Sequence, residues 1–203
     1  MATLSQVHVS NAQIPTTLPP NLVAVFVGAT SGIGEAALKE FIRNARSPKC
    51  YLVGRSEQAA NRIIDECNAL NPDASVVFMR ADMSLVKEAD RLSERIISVE
   101  SVVDVLFLSA GTVIFDRSET SEGLHTLAAL TFYTRLRITQ RLLPLLQNST
   151  SLSRVINIAG GTKEGTLYAD DFQALTIPFY AIRGHLATLI TLGHEALAAR
   201  APM

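Results

Sequence analysis

Cysteine is nearly missing from this chain: Cys50 and Cys67 are the only two, too few for a disulfide framework, and their strand-like and helix-like surroundings point to reduced, packed thiols. An excess of charge of one sign is missing as well. The 18 basic side chains against 19 acidic ones leave a net charge of −1, with the basic residues scattered, which excludes a broad basic face for nucleic acid. No apolar run reaches the roughly 18 uninterrupted residues of a membrane span, and the apolar segment Leu186 to Leu197 is interrupted by His194 and Glu195. The first twenty residues hold Pro15, Pro19 and Pro20 but neither a basic region nor an apolar stretch of signal-peptide length, and they read as a tail. His125, Asp116 and Glu119 lack metal-ligand spacing, and no cysteine pair is close enough for zinc. Internal repeats, heptads and low-complexity tracts are absent too. These exclusions leave a cytoplasmic protein with no nucleic-acid or membrane partner. Its organisation reads as a tail over 1–20 and a single domain over 21–203, because 203 residues at 48% apolar bury one good core and not two.

What is present alternates. Apolar runs of strand length stand at Leu22 to Val27, Cys50 to Val53, Ser75 to Met79, Val102 to Leu108 and Arg154 to Ile158. Helical stretches separate them: Ile33 to Asn44, Gln58 to Leu70, Leu85 to Val99, and a long segment from Ser121 to Leu146 expected to hold two helices. A last helix covers Ile177 to Arg200. Such alternation implies right-handed βαβ crossovers and a parallel sheet, and runs that are apolar throughout suit strands covered on both faces. Asn71-Pro72-Asp73 breaks the second helix, and Ser84 is placed to cap the third just after Asp82.

The run Gly28-Ala29-Thr30-Ser31-Gly32-Ile33-Gly34 joins the first strand to the first of these helices. Gly28 lets the chain turn sharply, Gly32 removes a side chain where backbone must approach phosphate oxygens, and Gly34 lets the helix pack closely on the sheet. The free N–H groups of the helix's first turn, with the helix dipole behind them, then face an anion. Gly28, Ser31, Gly32, Ile33 and Gly34 are therefore the expected cradle of a dinucleotide diphosphate.

The G-x-x-x-G-x-G spacing is followed by Arg55 after the second strand, Asp82 after the third, Ser109-Ala110-Gly111 after the fourth, and Gln140 to Pro144 closing a long helix. Over roughly residues 22 to 200 this order resembles the short-chain dehydrogenase/reductases, and among them divergent members from fungal secondary metabolism. The resemblance implies an α/β fold, a Rossmann-like doubly wound parallel sheet of strand order 3-2-1-4-5 lacking the family's usual last strands, with an uncovered edge that favours a homo-oligomer. It also implies NADP(H): Arg55 would pair with a 2′-phosphate where an acidic residue would prefer the free hydroxyl of NAD(H), and Ser56 would add a donor. As an ordinary surface residue Arg55 would instead be solvated. Asp82 would accept from the adenine amine beside Met83, and Ala110 and Gly111 would allow close cofactor approach. Ser109 replaces the family's usual Asn, whose amide steadies the neighbouring strand.

Catalytic residues match less well. The family uses Tyr-x-x-x-Lys on one helix, a Ser after the fifth strand and often an Asn in the long helix; a lysine four residues from the tyrosine lowers the phenol pKa. Here Thr131 takes the Asn position, and Ala159-Gly160-Gly161 replaces the serine pair. Tyr180 is the best counterpart of the phenol, but Gly184 stands at the lysine position. Arg183 is expected to bring a positive charge near Tyr180 without relaying a proton. Tyr168 is the poorer candidate. His185 and His194, nine residues apart, face opposite sides of a helix and cannot serve one site. The reading is an NADP-dependent oxidoreductase of a small-molecule carbonyl or alcohol in secondary metabolism. Its alternatives are a catalytically degenerate NADP-binding pseudoenzyme or a non-redox cyclase or isomerase on the same fold.

Overall fold

The computed structural model describes residues 2–112 and 116–201. Five parallel strands, β1 (Val23–Val27), β2 (Lys49–Gly54), β3 (Ser75–Arg80), β4 (Val105–Leu108) and β5 (Arg154–Asn157), form one sheet, parallel as the alternation predicts and in the order β3-β2-β1-β4-β5 that the family resemblance implies. Helices α2 (Gly32–Asn44), α3 (Glu57–Leu70), α4 (Val86–Ile97) and α6 (Thr134–Gln147) cover its two faces, and α7 (Phe179–Ala199) follows β5.

Strand period explains the two cores. Val23, Val25, Val27, Tyr51, Val53, Leu106 and Leu108 point to one side and meet Ala89, Leu92 and Ile96 of α4 and Ile138, Leu142 and Leu145 of α6. Their neighbours Ala24, Phe26, Cys50, Leu52, Val105 and Phe107 point to the other and meet Leu38 and Ile42 of α2 and Ala60, Ile63 and Cys67 of α3. Both cysteines are free and buried; burial raises both thiols, Cys67 to about 11, so neither is a nucleophile at neutral pH. The edge strands differ from the apolar-throughout expectation. In β3 and β5 exposed and half-buried residues alternate, because an edge strand has a neighbour on one side only.

Three further expectations change on the structure. The Ser121 to Leu146 segment is not two helices: α5 (Thr126–Ala128) passes through a π turn (Ala129–Tyr133) into α6 without a break. Within the widened turn Ala129 O accepts both the Thr134 N–H and the Thr134 hydroxyl, and Leu130 O accepts Arg135 Nε, each donor five residues on. Ser84 does not cap α4. Glu122 does, accepting from the Val86 and Lys87 N–H groups at 2.6 and 3.1 Å, while Ser84 donates to Asp82 Oδ1 from both backbone and hydroxyl. Within residues 1–20 lies α1 (Leu4–Thr17), begun by a Thr3–Gln6 capping box and burying none of its side chains. No helix among the described residues is long and apolar enough to cross a membrane.

Candidate active site

The carboxyl ends of β1, β2 and β4 open on a cavity of about 400 Å³. Gly28 leaves β1 at φ +82° with its N–H bonded to Val53 O, and a Cβ there would lie 2.3 Å from the Ala110 nitrogen, so only glycine lets β1 and the chain after β4 come this close. Gly34 packs against Ser109 in the same way, a Cβ meeting the Ser109 Oγ at 2.4 Å. Gly32 is different. It takes φ +61° with nothing within 4 Å of the Cβ position, so its missing side chain leaves open space and not a packed contact. Ser31 precedes α2 without capping it through its side chain, which leaves the first-turn N–H groups to the cavity.

Gly28, Ser31, Gly32, Ile33, Gly34, Arg55, Asp82, Ala110 and Gly111 all line this one cavity, with Thr30, Met83 and Thr112 beside them. Arg55 is exposed and has no hydrogen-bond or ion-pair partner among the described residues. Ser56 is occupied otherwise: its Oγ accepts from the Ala59 N–H and caps α3. Ser109 compensates for the absent family amide, its hydroxyl lying 3.1 Å from Val27 O and 3.2 Å from Gly28 O.

A second cavity, of about 520 Å³, adjoins the first and shares Ser109, Gly111, Thr112 and Ile158 with it. Its walls are Leu127 and Thr131 on one side and Arg183, Leu186, Ala187 and Ile190 of α7 on the other. Thr131 faces it while donating to Leu127 O at 2.7 Å. Arg183 reaches this cavity and Tyr180 does not: Tyr180 lies on the first turn of α7 with 88% of its surface exposed. Same-helix spacing brought the two residues near each other in sequence, but the start of α7 projects past the cavity.

The reason the lysine position holds glycine is visible in the packing. Residues 163–165 run directly across α7 at Gly184, where a Cβ would lie 3.0 Å from Gly165 Cα. Gly165 N–H donates to Gly184 O and Thr188 Oγ1, both at 3.0 Å, and the Thr188 hydroxyl donates to Gly165 O at 2.8 Å. Both histidines of α7 hydrogen-bond to backbone groups. Buried His185 accepts the Tyr168 N–H at Nδ1 and offers Nε2 to Phe172 O, and His194 offers Nδ1 to Ile190 O.

One functional candidate was not singled out in the sequence. Arg135 is 3% exposed and donates to Leu130 O, Leu108 O, Ala110 O, Ile158 O and Asn157 Oδ1, tying the ends of β4 and β5 together beneath both cavities. No carboxylate pairs with it among the described residues. Burial pushes its guanidinium down to about 10, which leaves it cationic at neutral pH. A signal existed: Arg135 occupies the buried stripe of α6 with Ile138, Leu142 and Leu145, and a charge on an apolar face is an anomaly worth following.

Comparison with known proteins agrees with this geometry. The family model for short chain dehydrogenase matches residues 22–167. Oxidoreductase andH of Emericella variicolor is 39% identical over 98% of this chain and 59% of its own length. Short-chain dehydrogenase/reductase SAT2 of Stachybotrys chartarum is 28% identical over 98% of this chain and 61% of its own. The chain thus spans about three fifths of the curated relatives it matches. Among solved structures, the Pseudomonas aeruginosa RhlG/NADP complex is 21% identical with a TM-score of 0.67 over 92% of this chain and 68% of that one. A short-chain dehydrogenase from Sphingobium yanoikuyae in complex with NADPH is 18% identical with a TM-score of 0.68 over 89% and 65%.

Proposed function

This chain belongs to the short-chain dehydrogenase family, and from that membership we propose that it binds NADP(H) in the first cavity and acts as an oxidoreductase on a small-molecule carbonyl or alcohol held in the second, in secondary metabolism. The observation that carries the reading is the convergence of nine separately argued residues, from four βα junctions, on one cavity. The residues present suit the cofactor. The uncapped amino end of α2 and the open Cβ position of Gly32 suit a diphosphate, and the uncommitted Arg55 suits a 2′-phosphate. Asp82 keeps Oδ2 available for an amine while Oδ1 is held by Ser84. When bound, the cofactor supplies a hydride. The Ser109, Thr112 and Thr131 hydroxyls orient a polar substrate group, and Leu127, Leu186 and Ile190 exclude water.

A second reading, a NADP(H)-binding protein without turnover, is favoured by one observation. No tyrosine, lysine, histidine or carboxylate lines the second cavity, and Gly184 is closed by Gly165. Titration with NADPH and NADH, followed by absorbance of bound NADPH on adding a panel of ketones and aldehydes, separates the two. Oxidation of NADPH supports the first; tight NADPH binding with no oxidation supports the second; no NADPH binding refutes both.

A further inference from the structure

The second cavity carries two guanidinium groups, Arg135 and Arg183, and no acidic side chain among its lining residues. Every hydrogen-bond acceptor on Arg135 is neutral, so nothing cancels a charge whose burial is costly. Its donors are almost all used. The single Nε hydrogen goes to Leu130 O, and the two on Nη1 serve Leu108 O, Asn157 Oδ1 and Ile158 O. Nη2 has two hydrogens but only Ala110 O, at 2.5 Å, which leaves one without a partner among the described residues. That nitrogen lies 3.5 Å from the Cβ position of Gly111, where the two cavities meet. Arg183, exposed and without a hydrogen-bond or ion-pair partner among the described residues, reaches in from α7, its Nε 3.9 Å from the Cβ position of Gly160. The rest of the lining is mainly apolar, with Leu127, Ile158, Leu186 and Ile190 beside the hydroxyls of Ser109, Thr112 and Thr131.

We propose that the second cavity is a binding site for an organic oxyanion, an apolar body with a carboxylate or enolate head received by Arg183 and by the spare Nη2 hydrogen of Arg135. A planar guanidinium matches two oxygens of such a head, and the surrounding apolar surface strengthens the attraction while rejecting inorganic ions that prefer water. The inference deepens the proposed oxidoreductase reading by naming its substrate class as acidic. It rests on that reading for the step from ligand to substrate, not for binding itself.

The test is calorimetric titration of the whole chain with 4-phenylbutanoate and with 4-phenylbutanamide, which share a body and differ in charge, each in the presence and absence of NADPH. The acid should bind at least about tenfold more tightly than the amide, and Arg183→Met should shrink that preference several-fold, to what Arg135 alone sustains, while leaving amide binding unchanged. Because Arg135 also holds β4 and β5 together, the exposed Arg183 is the deciding variant. Equal affinity for acid and amide overturns the proposal, as does a preference undiminished in Arg183→Met or acid binding undetectable at about 10 mM. NADPH titrated separately distinguishes the two readings. Acid preference without NADPH binding keeps the anion site and removes the oxidoreductase, and NADPH binding without acid preference does the reverse.

Discussion

Gly32→Ala separates folding from cofactor binding more cleanly than any other change in the phosphate turn. At Gly28 or Gly34 an added methyl collides with backbone or with Ser109, so lost binding there would follow from lost structure. At Gly32 the methyl meets no protein atom within 4 Å, and the fold pays only for an alanine at φ +61°. That costs about 1–2 kcal/mol, which for a domain of this length lowers the melting temperature by roughly 2–8 °C. Binding should suffer more. The methyl occupies the space through which a diphosphate reaches the N–H groups of Gly32, Ile33 and Gly34, and each charge-assisted hydrogen bond is worth about 1.5–3 kcal/mol. Weakening two of them predicts a loss in NADPH affinity of about 100-fold or more. Melting is followed by circular dichroism and binding by NADPH fluorescence, which the absence of tryptophan leaves free of energy transfer from the protein. A variant that melts as calculated yet binds NADPH as well as wild type would refute the phosphate-turn assignment.

Arg55→Asp should lower NADPH affinity by about tenfold to 100-fold and raise relative affinity for NADH, because a carboxylate repels the 2′-phosphate and accepts from the free hydroxyl; an unchanged ratio would remove Arg55 from the ribose. Gly184→Lys, which restores the family's residue, should destabilise the protein by about 1–3 kcal/mol through the 3.0 Å approach of Gly165, without adding NADPH oxidation; a stable variant with gained turnover would contradict the packing argument. Asp171 is pulled up by burial, but hydrogen bonds from Thr176, Leu175 and Ile177 outweigh that and hold its carboxyl well below the usual range. A carboxylate with a depressed folded pKa adds stability above its unfolded pKa of about 3.9, and that stability drains away as pH falls below it. Asp171→Asn, discounted for partial exposure, should therefore cost about 1 kcal/mol at pH 7 and progressively less below about pH 4 in urea unfolding; a gap constant with pH would show that the charge is not what matters.

Much of this fold was legible because its signals are local. Strand-length apolar runs, the break at Asn71 and the glycine turn each act over a few residues, and the family resemblance supplied the strand order. The shared lining of the first cavity was legible for the same reason, since its residues sit at strand ends that chain order already arranges. What stayed hidden depends on distant segments meeting. Glu122 caps α4 from 36 residues away. The crossing of residues 163–165 over Gly184 cannot be read from helical period, which explains why Tyr180 looked better placed in sequence than it is in space. The π turn was invisible too. Helical period assumes 100° per residue, and one widened turn shifts every side chain before it relative to those after it.

These departures have a common electrostatic sense. In the family pattern, positive charge enters the site from the last helix as a lysine four residues beyond a tyrosine; here that position is Gly184, and the backbone of Gly165 runs so close that a Cβ would lie 3.0 Å from its Cα. Two arginines place charge around the same space instead. Arg183 comes from one residue earlier on α7, and Arg135 comes from α6, its Nε donating to Leu130 O in the π turn. A guanidinium keeps its proton, so this arrangement trades proton relay for a fixed positive potential. A site built that way is suited to hold negative oxygen steadily and not to hand a proton to it. If this chain turns over, the head held by the arginines is an anion with no proton to give, so the proton that balances hydride transfer to a carbonyl must come from water. NADPH oxidation that slows with the acid-free analogue of a substrate, and not with the acid, would agree with a site that holds the anion; turnover indifferent to the acid group would count against it.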